Sequence, residues 1–151
     1  MQQCDLEPCL LELEILDSAF ASQRAVTALR ELCADGIRVC IDGFGTRTSS
    51  LRSLTLAPIA KVRVGVALVR AAESDRGAAV FLRAIAGAAQ AVGASVCATD
   101  VASQDDVRAL NAFGHLLAQG VLFGAPVDGD GILTLLTGRG AETAELPALI
   151  L

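Results

Sequence analysis

Asp42 leaves a short apolar run, Val39-Cys40-Ile41, and enters a loop with glycines at 43 and 45 and hydroxyl side chains at Thr46, Thr48, Ser49 and Ser50. A carboxylate at the exit of a buried strand, held in a glycine-bearing loop, is where α/β folds place acid–base or metal chemistry. The same residues also read as a tight strand-to-helix turn in which Asp42 orders backbone N–H groups. The residues alone leave both readings open. Glu14 stands in a comparable place, near the end of the run Leu10 to Leu16. Other chemistry finds little support. The single histidine, His115, has no partner at ligand spacing, and no CxxC or Cys/His cluster suggests zinc. Asp128 and Asp130 lack the regular ligand series of a calcium loop.

The elements that must position these carboxylates follow from apolar periodicity. Residues 1–9 read as irregular. Leu10 to Leu16 alternates at period two around Glu12 and Glu14, as a strand does. Asp17 or Ser18 is expected to cap a helix with Val26, Leu29, Leu32 and Cys33 on its apolar side, closed by Gly36. Ile37 to Asp42 is a second strand, Ser49 to Leu56 a short helix, and Ile59 to Val64 a third strand with Lys61 and Arg63 alternating against Ile59, Val62 and Val64. Asp75 to Val92 is the longest expected helix, capped by Ser74, with Phe81, Leu82, Ile85 and Val92 as its stripe. Ala94 to Thr99 is a fourth strand. Ser103 opens a helix, with Asp106 three places on as a weak capping-box match, Val107, Leu110 and Phe113 inward, and Asp105 and Asp106 as a charge pair at its N-terminus. Leu116 to Gly120 is a fifth strand, Gly131 to Thr137 a last helix, and residues 138–151 an apolar-ended tail. Cys40 and Cys97 are expected as packing residues on neighbouring strands.

Strict strand–helix alternation implies a parallel sheet built from βαβ units. With 151 residues, 53% of them hydrophobic, one domain with a full core is expected. The net charge of −5 and a single lysine, Lys61, exclude a phosphate-binding basic face, so nucleic acid is not a partner. Five cysteines, an odd number, and an N-terminus without signal-peptide pattern point to a reducing, cytoplasmic setting. The most apolar window, Ala78 to Ala98, is broken by Arg83 and Gln90 and reads as a buried helix and strand, not a membrane span.

Several segments resemble, in order and with fitting gaps, the EAL-domain family of bacterial cyclic di-GMP phosphodiesterases. Leu13 to Ala19 (LEILDSA) is similar to the family's LEITESA, and Ile41 to Leu51 (IDGFGTRTSSL) to IDDFGTGYSSL. Ala118 to Pro126 (AQGVLFGAP) is similar to AQGYLFGRP. Pro58 to Val69 and Val96 to Ser103 fall where PVDELKIDRSFV and VVAEGVET would sit. The resemblance implies a (β/α) TIM-type barrel. It also implies a two-metal hydrolase, with Glu14 and Asp42 at metal-binding positions and Asp42, Gly43, Phe44, Gly45, Gln119 and Gly120 around the ligand.

The departures from that pattern set the functional expectation. Gly43 replaces the second aspartate of DDFG, Arg63 replaces the lysine of KID and Gly65 its aspartate. Thr99 replaces the glutamate that acts as general base, and Ala102 a later glutamate. Two-metal hydrolysis needs enough carboxylates to hold two cations about 4 Å apart. A guanidinium does not exchange protons at neutral pH, and a threonine hydroxyl is no base there. The strands carrying the family's namesake motif have no counterpart here, and a full barrel takes about 250 residues. The expectation is a partial barrel of about five parallel strands: a single truncated domain over residues 1–151 with open edges and an uncovered apolar interior. No cofactor is expected, with Mg²⁺ or Mn²⁺ only if family-type activity persists. The expected role is regulation or protein interaction, as a homo-oligomer or with another signalling protein. The alternatives are an inactive cyclic di-GMP receptor, or a phosphodiesterase completed by another chain or segment.

Overall fold

A computed structural model describes residues 6–46, 49–114 and 116–137. The expectations for His115 and for the tail at 138–151 fall outside them. Five strands, β1 (Glu12–Leu16), β2 (Arg38–Asp42), β3 (Ile59–Gly65), β4 (Ser95–Thr99) and β5 (Leu117–Ala118), form one parallel sheet in the order β1-β2-β3-β4-β5. The helices are α1 (Gln23–Ala34), α2 (Val66–Ser74), α3 (Arg76–Ala91), α4 (Gln104–Asn111) and α5 (Gly129–Leu136). Strand order matches chain order, so successive crossovers of one hand stack their helices on one face. The core lies there: Val39, Ile41, Val62, Val64 and Ala98 from the sheet meet Val26, Leu29, Val69, Leu82, Ile85 and Ala109 from the helices.

Several boundaries differ from the sequence expectation, each for a local reason. Pro8–Leu10 is a 3₁₀ turn with proline at its start, which shortens β1 to five residues. Asp17–Ala21 is also a 3₁₀ turn, and Ser22, not Asp17 or Ser18, caps α1 by accepting from the N–H of Ala25. Asp17 instead accepts from the backbone N–H of Ser50 at 3.1 Å, tying the exit of β1 to the loop after β2. The expected helix at 49–56 is a 3₁₀ turn, Leu51–Thr55, capped by Ser50. The apolar pattern after β3 does not single out α2, whose stripe is Val66, Val69 and Ala72. The presence of α2 moves the cap of α3 from Ser74 to Asp75, which accepts from Gly77 and Ala78. The inward stripe of α3 is Leu82, Ile85 and Ala89, while Phe81 and Val92 lie at its exposed margins. On α4 the buried side is Asp106, Ala109 and Leu110, with Val107 and Phe113 only partly covered. β5 is two residues long. α5 starts at Gly129, capped by Asp128, and buries none of its residues.

The helix-free face also departs from expectation. It is not an uncovered apolar surface but a charged one, carrying Glu12, Glu14, Arg38, Asp42, Lys61 and Arg63. A register shift opposite Val39 and Cys40 inserts Ala60 as an extra residue, so Lys61 and Arg63 lie on this face while Ile59, Val62 and Val64 stay in the core. Glu12 accepts from Lys61 at 2.6 Å and from Arg38 at 3.2 Å, spanning β1, β2 and β3. Cys40 and Cys97 are not on neighbouring strands, because β3 runs between β2 and β4, and they pair in register with Lys61 and Arg63. Both thiols are buried. Burial, reinforced by Glu12 and opposed by Lys61, pushes Cys40 up to about 12. Such a thiol is a packing group and not a nucleophile.

Asp106, expected as a helix N-terminal charge and as the capping-box partner of Ser103, is completely buried. It closes a capping box with Ser103, accepts from the backbone N–H groups of Ala102 (2.9 Å) and Ser103 (3.0 Å), and pairs with Arg70 Nε of α2 at 2.5 Å. Arg70 first, then the Ala102 N–H, hold its carboxyl well below the usual carboxylate range, and burial opposes them. A depressed folded-state value means that its stabilisation is complete above the unfolded value of about 4 and is lost as pH falls below that. Asp106→Asn should therefore flatten the loss of denaturation midpoint between pH 6 and pH 3. Equal acid sensitivity of variant and wild type would remove Asp106 from the account.

The β4 and β5 exits are locked by backbone. Gln119 donates to Ala98 O (2.8 Å), Val101 to Gln119 O (3.1 Å) and Leu122 to Val101 O (3.2 Å). Gly120 lies so close that a Cβ there would stand 2.0 Å from Val101 O. Gly120→Ala should cost on the order of 2–3 kcal/mol by forcing this backbone apart. A change within about 0.5 kcal/mol on denaturant titration would show that the loop yields freely.

Candidate functional site

The C-terminal strand ends gather most of the residues that the sequence marks. The loop after β2 is shaped by its glycines: Gly43 (φ +63°) and Gly45 (φ +92°) occupy the left-handed region, and a Cβ on Gly45 would meet Leu68 Cδ2 at 3.0 Å. Phe44 donates its N–H to Arg63 O at 2.8 Å, and its ring, 2% exposed, is in the core. Only its backbone can face a ligand, so the side chain is a packing group where a ligand contact was expected. Gly45 N–H is held by Ser49 Oγ at 3.0 Å.

Glu14, Asp42 and Arg63 form one cluster across β1, β2 and β3. Arg63 Nη1 pairs with Glu14 Oε1, and Arg63 Nε lies 3.3 Å from Asp42 Oδ1. The second contact is electrostatic more than directional, since Nε is buried without an aligned acceptor. The Arg63 side chain is 12% exposed, whereas those of Glu14 and Asp42 are 47% and 40% exposed. Gly65 and Thr99 pair in register on β3 and β4. Thr99 Oγ1 stands 3.4 Å from Val64 O and 3.2 Å from Asp100 Oδ2, so its hydroxyl donates locally.

Beside this cluster a cleft of about 270 Å³ is lined by Arg63, Thr99, Asp100, Gln119, Gly120 and Val121. The sequence reading passed over Asp100. Among the described residues it is the one non-glycine with positive φ (64°), at the position where the family pattern AEGVE carries its glycine. That glycine-to-aspartate departure was the available signal. The cleft therefore brings together Arg63, Thr99, Gln119 and Gly120. Glu14 and Asp42 pair with Arg63 outside the cleft lining, and Gly43 and Gly45 shape the turn beside them.

The donor set does not suit a pair of cations. Among the described residues no three His, Cys, Asp or Glu side chains converge as metal ligands. The two carboxylates at metal-binding positions already share a guanidinium, and a divalent ion between them would be repelled by it. Mg²⁺, which requires near-octahedral oxygen ligation, would find two carboxylates there and, among the described residues, no third ligand of that kind converging with them.

A sequence profile of the EAL domain matches residues 2–126. An uncharacterized signaling protein of Caulobacter vibrioides is 33% identical over 94% of this chain and 18% of its own length. A cyclic di-GMP phosphodiesterase, PdeR of Escherichia coli, is 29% identical over 84% of this chain and 20% of its own. The chain thus spans about a fifth of the length of these relatives. In three dimensions it superposes on the EAL domain of Mycobacterium smegmatis DcpA with a TM-score of 0.78 at 29% identity, covering 91% of this chain and 63% of that one. The five-stranded parallel sheet is part of the EAL barrel, and the chain belongs to the EAL-domain family.

Proposed function

We propose that this chain is an EAL-family module that has lost phosphodiester hydrolysis and acts through protein contacts in cyclic di-GMP signalling. The contact of Arg63 with both Glu14 and Asp42 carries this reading. One fixed positive charge occupies the carboxylates that a metal pair would need. Thr99 stands at the base position with its hydroxyl held by Val64 O and Asp100, and it cannot take a proton from water. Losing one positioned charged group commonly costs about 10²- to 10³-fold in rate, and several are replaced here.

Protein contact is supported by apolar surface. Leu10 precedes β1 and Leu16 ends it, both exposed; β1 pairs with β2 alone among the described strands, and α5 exposes Ile132, Leu133, Leu135 and Leu136. Such surface suits a second copy or another signalling protein. Among the described residues no helix is long and apolar enough to cross a membrane. Free Cys9, Cys33, Cys40 and Cys97 suit the reducing cytoplasm. Receptor function is the second reading, favoured by the cleft at the positions expected to face ligand, Gln119 and Gly120.

Purified chain incubated with cyclic di-GMP and Mg²⁺ or Mn²⁺ should release no linear dinucleotide above buffer, and metal-dependent turnover would overturn the proposal. Calorimetric titration with the nucleotide separates the module from the receptor, with silence at high micromolar concentration expected for the module. Arg63→Ala should tighten Mn²⁺ binding. Removing a unit charge about 5 Å from a dication is worth about 1.5 kcal/mol even with bulk-water screening, on the order of tenfold in affinity. Unchanged binding, followed by the paramagnetic signal of free Mn²⁺, would show that the guanidinium does not exclude the ion.

A further inference from the structure

The helices that follow β3 and β4, and the loop that borders the cleft, are tied together through one buried carboxylate. α2 follows β3 directly, and α4 follows β4 after the loop at 100–103. Asp106, in the first turn of α4, is fully buried, and its two oxygens serve different elements. Oδ1 meets Arg70 Nε of α2 at 2.5 Å. Oδ2 accepts from the backbone N–H groups of Ala102 and Ser103, at 2.9 and 3.0 Å, and so holds the loop. One residue earlier, the Val101 backbone supports the cleft. Its N–H donates to Gln119 O, its carbonyl accepts from Leu122 N–H, and Gly120 presses against it. Thr99, Asp100, Gln119, Gly120 and Val121, which line the cleft, stand on these two joined segments.

We infer that the Arg70–Asp106 pair is a latch on the cleft, and that Arg70 is a positioning residue for a site it does not line. Without Arg70, Asp106 is a buried charge with one oxygen unpartnered, and the fold relieves such a charge by letting it reach water. The sheet does not supply that movement, because Val39, Ile41, Val62 and Val64 are fully enclosed in the core. The loop does, since Ala102 and Gln104 are exposed and Asp106 Oδ2 is what holds its N–H groups. The opening is therefore local to the loop and the first turn of α4, and it takes the β4 side of the cleft with it. Arg70 is 53% exposed and Asp106 0%, so the accessible end of the latch lies on the surface of α2. The inference holds whatever the cleft binds, and it does not rest on the loss of hydrolysis.

The test is residue-resolved amide hydrogen exchange of the full chain as wild type, Arg70→Met and Arg70→Lys. In Arg70→Met the amides of Val101, Ala102, Ser103 and Leu122 should lose on the order of tenfold more protection than those of Val39 to Ile41 and Val62 to Val64. Amide chemical shifts at Thr99, Asp100, Gly120 and Val121 should move with them. Arg70→Lys keeps the charge and the fold, and should show the same loop-first pattern at smaller amplitude. Arg70→Met combined with Asp106→Asn removes the buried charge yet leaves an amide oxygen for the Ala102 and Ser103 N–H groups, so loop protection should return toward wild type. Equal loss in loop and core would make the pair a plain stability contact and overturn the latch. Unchanged loop exchange would do the same, as would a lysine variant no better than methionine or a double variant as open as Arg70→Met alone. Turnover of cyclic di-GMP would end the non-hydrolytic reading without changing these exchange rates, so the two failures are told apart.

Discussion

A guanidinium pinned between two carboxylates sets the state of the strand ends. In a parallel sheet the side chains at the carboxyl ends converge, and whatever charge they carry must be balanced there. Here the balance comes from within the chain: Arg63 of β3 reaches Glu14 of β1 and approaches Asp42 of β2. Glu12 repeats the scheme one layer down, with Lys61 and Arg38. These pairs turn the helix-free face into a cross-strand ladder of alternating sign. They also shield Cys40 and Cys97, which would otherwise be small apolar groups on an open sheet surface.

This ladder explains how one sheet can present two such different faces. An all-parallel sheet is ordinarily buried on both sides. One side meets that condition, with Val39, Ile41, Val62 and Val64 fully covered by helices. On the other side the long stems of Lys61 and Arg63 lie over the sheet while their charged ends find glutamate and aspartate. The bulge at Ala60 makes this possible, because if Ala60 took a regular place in the alternation, Lys61 and Arg63 would exchange faces with Val62 and Val64.

Much of the fold was legible because local and global signals agreed. β2, β3 and β4 are apolar runs bounded by glycines or a proline, and Gly36 and Gly93 end helices with positive φ as their positions suggest. The parity break in Ile59, Val62 and Val64 already contained the bulge. Illegible features were those decided by tertiary partners. The capping-box pairing of Asp106 with Ser103 was legible, but its burial was not, because that depends on Arg70 arriving from α2 as well as on the Ala102 and Ser103 N–H groups. Phe81 and Val92 are as apolar as Leu82 and Ile85 but fall at the edge of the stripe. In the site, the strand pattern alone put Glu14, Asp42, Arg63, Thr99 and Gln119 at or near the strand ends, where the five strands have them. It did not show that Arg63 would contact both remaining carboxylates, because a substitution read position by position carries no geometry.

Asp100 shows why geometry matters most where a motif decays. At a position with φ 64° the backbone favours glycine, and the family pattern has glycine there. Replacing it with aspartate keeps the turn, since a short polar side chain tolerates the left-handed region better than most, and adds a charge to the cleft. Read alone, the exchange is one more lost match. Set beside Arg63, it gives the cleft lining a carboxylate to stand against its cation. Lysine to Arg63 keeps the charge, glutamate to Thr99 removes a carboxylate and glycine to Asp100 adds one beside it, so the replacements redistribute charge at the strand ends and remove proton-exchanging groups without shifting the charge in a single direction.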